Sequence, residues 1–341
     1  MATRATRSAS RKARHAEAVA TGPLGALSHD ELGVIFDGLA DPLQPVVAVA
    51  LSSTCLGLRT PLAAALEVLQ ERHARVVALF RKALVRQSQY GEFLPPVTPM
   101  TCAEIGRAPL MVWANEVSFI SGEVQVPRPL TEHAEMATLG MLLHKYLPNV
   151  TRLVLIGNLA VDDAGMQALC EGLGRGDAPS LRELNLCGSS FGPAGAEALA
   201  SALSRGAMPN LEKMFLPWVQ NLGDQGVAAL ATPLRKLPGL KSLFMNSCGI
   251  GDAGVASLLN NLGKDDFKAL EELGLGMNPV TLRSCAVLVA ALDSDALPRA
   301  AFIPAAFMST PGMQFCFDDE AAHAALVAAL ARAQERREAT A

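Results

Sequence analysis

Gly188-Ser189-Ser190-Phe191-Gly192 satisfies G-x-S-x-G, the pattern that raises a serine nucleophile onto a sharp turn between a strand and a helix. The flanks suit it: "LRELNL" before the motif alternates like a strand, and "PAGAEALASAL" after it has helical spacing. Other residues with chemical potential are scattered. His15, His29, His73, His133, His144 and His323 form neither an i,i+4 pair nor H-E-x-x-H, so no metal centre is expected. Cys55, Cys102, Cys170, Cys187, Cys248, Cys285 and Cys316 are odd in number and lack a C-x-x-C pair, which argues against a disulfide framework and a zinc site. They read as reduced thiols of an intracellular protein, cytoplasmic or nuclear. The run "GLGRG", Gly172 to Gly176, follows a helix, whereas phosphate cradles precede one, so it reads as a helix stop. No cofactor is expected.

The elements that position Ser190 explain it. "VTRLVL" at Val150, "LRELNL" at Leu181, "LEKMFL" at Leu211, "LKSLFM" at Leu240 and "LEELGL" at Leu270 start 31, 30, 29 and 30 residues apart. A short turn and a Leu-bearing helix follow each: "VDDAGMQAL", "FGPAGAEAL", "LGDQGVAAL", "IGDAGVASL" and "VTLRSCAVL". Alternation along each strand turns its fourth and sixth residues inward and leaves the third and fifth outward. Gly165, Gly195, Gly226 and Gly254 stand four residues before Leu169, Leu199, Leu230 and Leu258, which begin an inward helical stripe. One unit cannot bury that stripe, so neighbours must stack. In this register Ser189 aligns with Asn158, Cys248 and Asn278, Phe191 aligns with inward Val161, Leu222 and Ile250, and Ser190 is a turn residue between them. Catalysis is not expected.

The recurring LxxLxLxx(N/C) followed by GxxxL resembles the leucine-rich repeat family, in its ribonuclease-inhibitor type, over about half the chain. The resemblance implies an α/β horseshoe, or solenoid, with a parallel sheet on its concave side and helices outside. It also implies that Asn158, Cys248 and Asn278 form a ladder satisfying turn backbone groups. Val219 departs from that ladder, and one extra residue precedes Leu222, so a bulged turn is expected there. "VSFISGEV" from Val117 with the helix from Thr131 looks like a divergent first unit. "ALPRAAFIPAAF", with Pro304, looks like an edge strand, and a helix from about Asp319 to Arg337 closes the stack.

Leu27 to Arg59 lacks the period. Ser28 and Glu31 make a capping box ahead of an apolar stripe, Leu32, Ile35, Phe36 and Leu39. Leu27, Glu31, Leu32, Ile35, Phe36, Leu39 and Cys55 resemble the F-box, although Ser28 replaces its usual proline and no Trp follows Cys55. That resemblance implies docking of Leu27, Leu32, Ile35, Phe36 and Leu39 on a Skp-type adaptor of a cullin ubiquitin ligase. The alternative reading is a small helical cap. The expected organisation is a basic tail over 1–22, a helical region over 23–92 with a long helix from Pro61 to about Gln89, a linker over 93–112, and repeats with caps over 113–341. The tail reads as solvated, and its arginines also suit a transit or nuclear signal.

A formal charge of −4 offers no basic field for nucleic acid, and no apolar run is long enough for a membrane helix. What remains is a protein partner on the sheet's outward positions: Arg152, Val154 and Ile156; Glu183, Asn185 and Cys187; Lys213, Phe215, Pro217 and Trp218; Ser242, Phe244 and Asn246; Glu272, Gly274 and Gly276. Phe215, Trp218 and Phe244 stand out in a chain with 5% aromatics. Trp218 has a second reading, folded over the bulged turn and half-buried.

Overall fold

A computed structural model describes residues 29–42, 47–50, 62–83, 110–111, 130–293, 297 and 320–340. The chain divides into two compact units, 1–78 and 79–341.

In the second unit the repeats form one parallel sheet whose strands lie in chain order: β1 (Leu110–Met111), β2 (Arg152–Val154), β3 (Glu183–Asn185), β4 (Lys213–Phe215), β5 (Ser242–Phe244) and β6 (Glu272–Gly274). Leu153, Leu184, Met214, Leu243 and Leu273 stand in register at the strand centres and are buried. Leu155, Leu186, Leu216, Met245 and Leu275, two residues on, are buried as well. That alternation puts residues one and three of each strand on the opposite face.

Between the strands run α3 (His133–Met141, extended by a π-helical turn over Leu142–Tyr146), α4 (Asp163–Cys170), α5 (Pro193–Ser204), α6 (Gly223–Lys236), α7 (Asp252–Leu259) and α8 (Leu282–Asp293), followed by α9 (Glu320–Thr340). From α3 to α9 each helix packs on the next in chain order, as stripes that no single unit can bury require. Strand β1 falls within 93–112, the stretch expected to be a linker, and pairs with β2 through Leu110↔Leu153 and Met111↔Val154. The strands expected at Val117 and around Pro304 lie outside the described residues.

Strands β2 to β6 end in the same way. Gly157, Gly188, Trp218, Ser247 and Met277 adopt left-handed backbone, with φ of 60°, 67°, 59°, 56° and 59°. Only the first two are the glycines that such a conformation favours. The extra residue before Leu222 produces the expected local irregularity: Gly223 is left-handed at the start of α6, where α4 and α7 are entered from extended backbone. The stop after α4 is made by left-handed Gly172 and Gly176.

The helix entries are wired between repeats. Gly192 and Gly251, at the N-caps of α5 and α7, have no side chain with which to cap. The missing acceptor comes from the preceding repeat. Asp163 Oδ1 accepts from Gly192 N and Gly195 N at 2.7 and 2.6 Å, and Asp224 Oδ1 from Gly251 N and Gly254 N at 2.6 and 2.9 Å. A Cβ on Gly254 would sit 2.6 Å from Asp224 Oδ1, so the glycine makes room for the carboxylate. Pro193 takes the aspartate's place in α5, and α6 receives no such cap.

Asp252 continues the pattern into the next repeat, accepting from Thr281 N at 2.8 Å and from the hydroxyls of Ser284 and Thr281. Those bonds, Ser284 first, draw its pKa from the usual 3.8 to about 2. A depressed carboxyl stabilises the fold above its unfolded pKa and loses that contribution as pH falls through the folded value. Asp252→Ala is therefore expected to be less stable at neutral pH and to show a shallower stability loss between pH ~4 and ~2, measured by urea unfolding at several pH values. An unchanged acid slope would contradict it.

The first unit is built from α1 (His29–Leu39), a helical stretch at 47–50 and the beginning of α2 (Ala63–Ala83). Its core is Leu32, Phe36, Ala40, Ala48, Leu62 and Leu69, with Ala65 and Leu66 packed against it. His73 Nδ1 lies 2.6 Å from the Pro42 carbonyl and ties α2 to the end of α1.

Candidate partner-binding face

The outward residues of the sheet form rows, because parallel register brings equivalent positions side by side. The first row is Arg152, Glu183, Lys213, Ser242 and Glu272; the second is Val154, Asn185, Phe215, Phe244 and Gly274. Arg152 grips Glu183 with two parallel bonds, Nε to Oε2 at 3.0 Å and Nη2 to Oε1 at 2.9 Å. Ser242 donates to Glu272 Oε2 at 2.6 Å. At the amino-terminal edge of the sheet Glu212 is held by Lys241 at 3.0 Å and by Arg182, which together keep its carboxyl below the usual range.

Two outward expectations are corrected. Ser242 is buried, since its short side chain lies under the Glu272 carboxylate it bonds. Val154 is also buried; its register neighbour is Met111 of β1, so it stands inside the sheet and not at an open edge.

Phe215 and Phe244 stack in parallel, with ring centroids 5.2 Å apart and planes 1° from parallel. Gly274 makes this geometry available: a Cβ there would stand 2.5 Å from Phe244 Cδ1, inside any real contact, so the ring leans into the space that a side chain would fill. Gly274→Val should push Phe244 upright and break the stack. Aromatic ring-current shifts in NMR spectra of this variant and the wild type are the check, and an unperturbed Phe215 spectrum would contradict it.

Asn246 follows Phe244 on the same face and also leans over Gly274, its Oδ1 2.6 Å from where a Cβ would be. Asn185 Oδ1 accepts from Cys187 N at 3.1 Å and is thereby committed to its own turn. Trp218 is 51% exposed. Its backbone is left-handed, and its N–H donates to Asn246 O at 2.8 Å. Met277, at the same place two repeats on, is exposed too. The left-handed position was the signal missed in the sequence: in two repeats, at Trp218 and Met277, it carries an exposed large side chain just beyond the strand end.

The residues singled out for chemistry are spread through the structure. Ser190 is exposed, its amide donates to Val161 O, and among the described residues no histidine or carboxylate bonds its hydroxyl. Ser189 and Phe191 beside it are buried, as the repeat register predicts. His133 pairs with Asp162 and His144 with Asp177, on different repeats. Cys170, Cys187, Cys248 and Cys285 are free thiols, and burial pushes Cys170 and Cys248 up to about 12. Among the described residues no cluster could hold a metal ion, and no described helix is long and apolar enough to cross a membrane.

Of the residues expected to dock an adaptor, Leu27 lies outside the described residues. Leu32 and Phe36, the latter 1% exposed, belong to the first unit's own core, while Ile35 and Leu39 are 36% and 37% exposed. Val34, Val47 and Val49 join them at the surface.

No curated protein matches the chain. Residues 177–200 and 238–259 match the family model described as Leucine Rich repeat, and each stretch spans one strand, its turn and the following helix. Five such units recur in register in the sheet, and two of them, 177–200 and 238–259, are the ones that match the leucine-rich repeat model.

Proposed function

We propose that the chain is a non-catalytic protein–protein interaction module that holds its partner on the outward sheet face around Phe215, Phe244 and Trp218. The carrying observation is the stacked phenylalanine pair beside an exposed tryptophan. Aromatic anchors supply most of the binding energy in protein interfaces. Arg152, Glu183, Asn185, Lys213, Asn246 and Glu272 form the polar rim of the same face. A helix in every repeat, as in the ribonuclease-inhibitor type, keeps the face built on short strands, and such strands hold side chains rigidly.

Phe215→Ala and Phe244→Ala should each weaken the complex with a co-purified partner by ~1–3 kcal/mol, measured by calorimetry, without lowering the melting temperature of the chain by more than a few degrees. Equal affinity in both variants would remove this face from the interface.

In the fuller form of this reading the first unit docks a Skp-type adaptor, which makes the chain the substrate-recognition subunit of an SCF-type ubiquitin ligase. The exposed apolar residues Val34, Ile35, Leu39, Val47 and Val49 support it. A second reading is a leucine-rich repeat scaffold or regulator, GTPase-regulating or cytoskeletal, in which the amino-terminal helices are only structural; burial of Leu32 and Phe36 favours it. Capture of a Skp-type adaptor by the intact chain decides between them, since the second reading requires none.

A further inference from the structure

The charges on this face are unevenly committed. Glu183 is taken by Arg152, Glu212 by Arg182 and Lys241, and Glu272 by Ser242. Lys213 lies in the middle of them, exposed, and among the described residues its ammonium has neither a hydrogen bond nor an ion pair. Arg152 on β2 and Lys213 on β4, with Arg182 and Lys241 just before β3 and β5, face only Glu183 and Glu212, whereas Glu271 and Glu272 stand just before and at the start of β6. The face is thus positive beside the aromatic pair and negative at its last described strand.

Lys213 and Phe215 are the first and third residues of β4. Two residues of extended chain span ~7 Å, and an extended partner segment places its own i and i+2 side chains on one face at the same interval. We infer that this face recognises an extended peptide segment carrying an acidic residue and, two positions away, an aromatic or large aliphatic one. The carboxylate meets Lys213, with Arg182 and Lys241 behind it, and the apolar side chain packs on the Phe215–Phe244 stack. Glu271 and Glu272 set the direction, because the acidic end is repelled from β6. This rests on the sheet-face reading above and gives its partner a chemistry.

The test is selection of a phage-displayed random heptapeptide library on the immobilised full chain, followed by titration of the enriched synthetic peptides. The expected enrichment is Asp or Glu two positions from Phe, Tyr, Trp or Leu. Binding should fall at least about tenfold in Lys213→Glu, weaken with added salt, and recover when the peptide's acidic residue is replaced by lysine. Peptides that bind equally well to Lys213→Glu but are lost in Phe215→Ala overturn the inference while preserving the sheet face as the site. Peptides indifferent to both substitutions overturn both. A selection that enriches nothing overturns the inference, and a co-purified folded partner still released by Phe215→Ala then preserves the sheet-face reading.

Discussion

Asn278→Ala is expected to lower the unfolding free energy by ~3–5 kcal/mol, because it strands four backbone groups that no other side chain reaches. The Asn278 carboxamide is buried. Its Oδ1 accepts from Cys248 N at 2.8 Å and Ile250 N at 3.1 Å, and its Nδ2 donates to Met245 O at 2.7 Å and Leu275 O at 2.9 Å. Three of those partners belong to the preceding repeat, so the side chain joins two turns. Stability in a stacked array depends on such nearest-neighbour terms.

The other ladder positions provide the control. Cys248 donates its thiol to Leu216 O at 3.0 Å, again in the preceding repeat, and Asn158 Oδ1 accepts from Leu130 N at 2.9 Å. Ser189 is buried too, but its hydroxyl has no partner. Removing a hydroxyl that makes no bond relieves desolvation and breaks nothing, so Ser189→Ala should leave stability within ~0.5 kcal/mol or raise it slightly. Urea titrations followed by far-UV circular dichroism compare the two. If Ser189→Ala costs as much as Asn278→Ala, the ladder acts through packing volume and not through its hydrogen bonds.

The same contrast shows what a sequence can and cannot display. The period near thirty and the inward leucines are visible because each recurs, and the sheet, its register and the buried Leu184, Met214 and Leu243 follow from them. Recurrence also dissolves the apparent nucleophile elbow, since strand, turn and helix around Ser190 are the repeat itself. Alternation assigns a residue to a face, but exposure depends on what the neighbouring strand carries there. Val154 and Ser242 are buried for that reason. The aspartates at the helix starts could be read as dipole partners of their own helices, whereas Asp163 and Asp224 also cap the helix of the next repeat, a contact about thirty residues away in sequence that no local pattern encodes. Alternation places Gly274 on the outward face of β6; its significance lies in the ring of Phe244, one strand away.

The apolar stripe of α1 is where local pattern and tertiary structure diverge most, and it carries the second large effect. Phe36→Asp places a carboxylate in a core of Leu32, Ala40, Ala48, Leu62 and Leu69, among which there is no cation to pair with. The expected cost is several kcal/mol, on the order of the whole stability of a small unit. In the full chain, limited proteolysis should then open residues 29–78. Loss of adaptor capture in that variant would follow from unfolding, whichever reading of the first unit holds. Val34→Asp and Ile35→Asp act where α1 meets solvent, at 73% and 36% exposure, and should each cost ~1 kcal/mol or less. If wild-type chain captures a Skp-type adaptor and these two variants lose it while resisting the protease, the exposed side of α1 is a docking surface. If they retain it, the adaptor binds elsewhere. If the wild type captures none, the stripe serves only the core that Phe36 anchors.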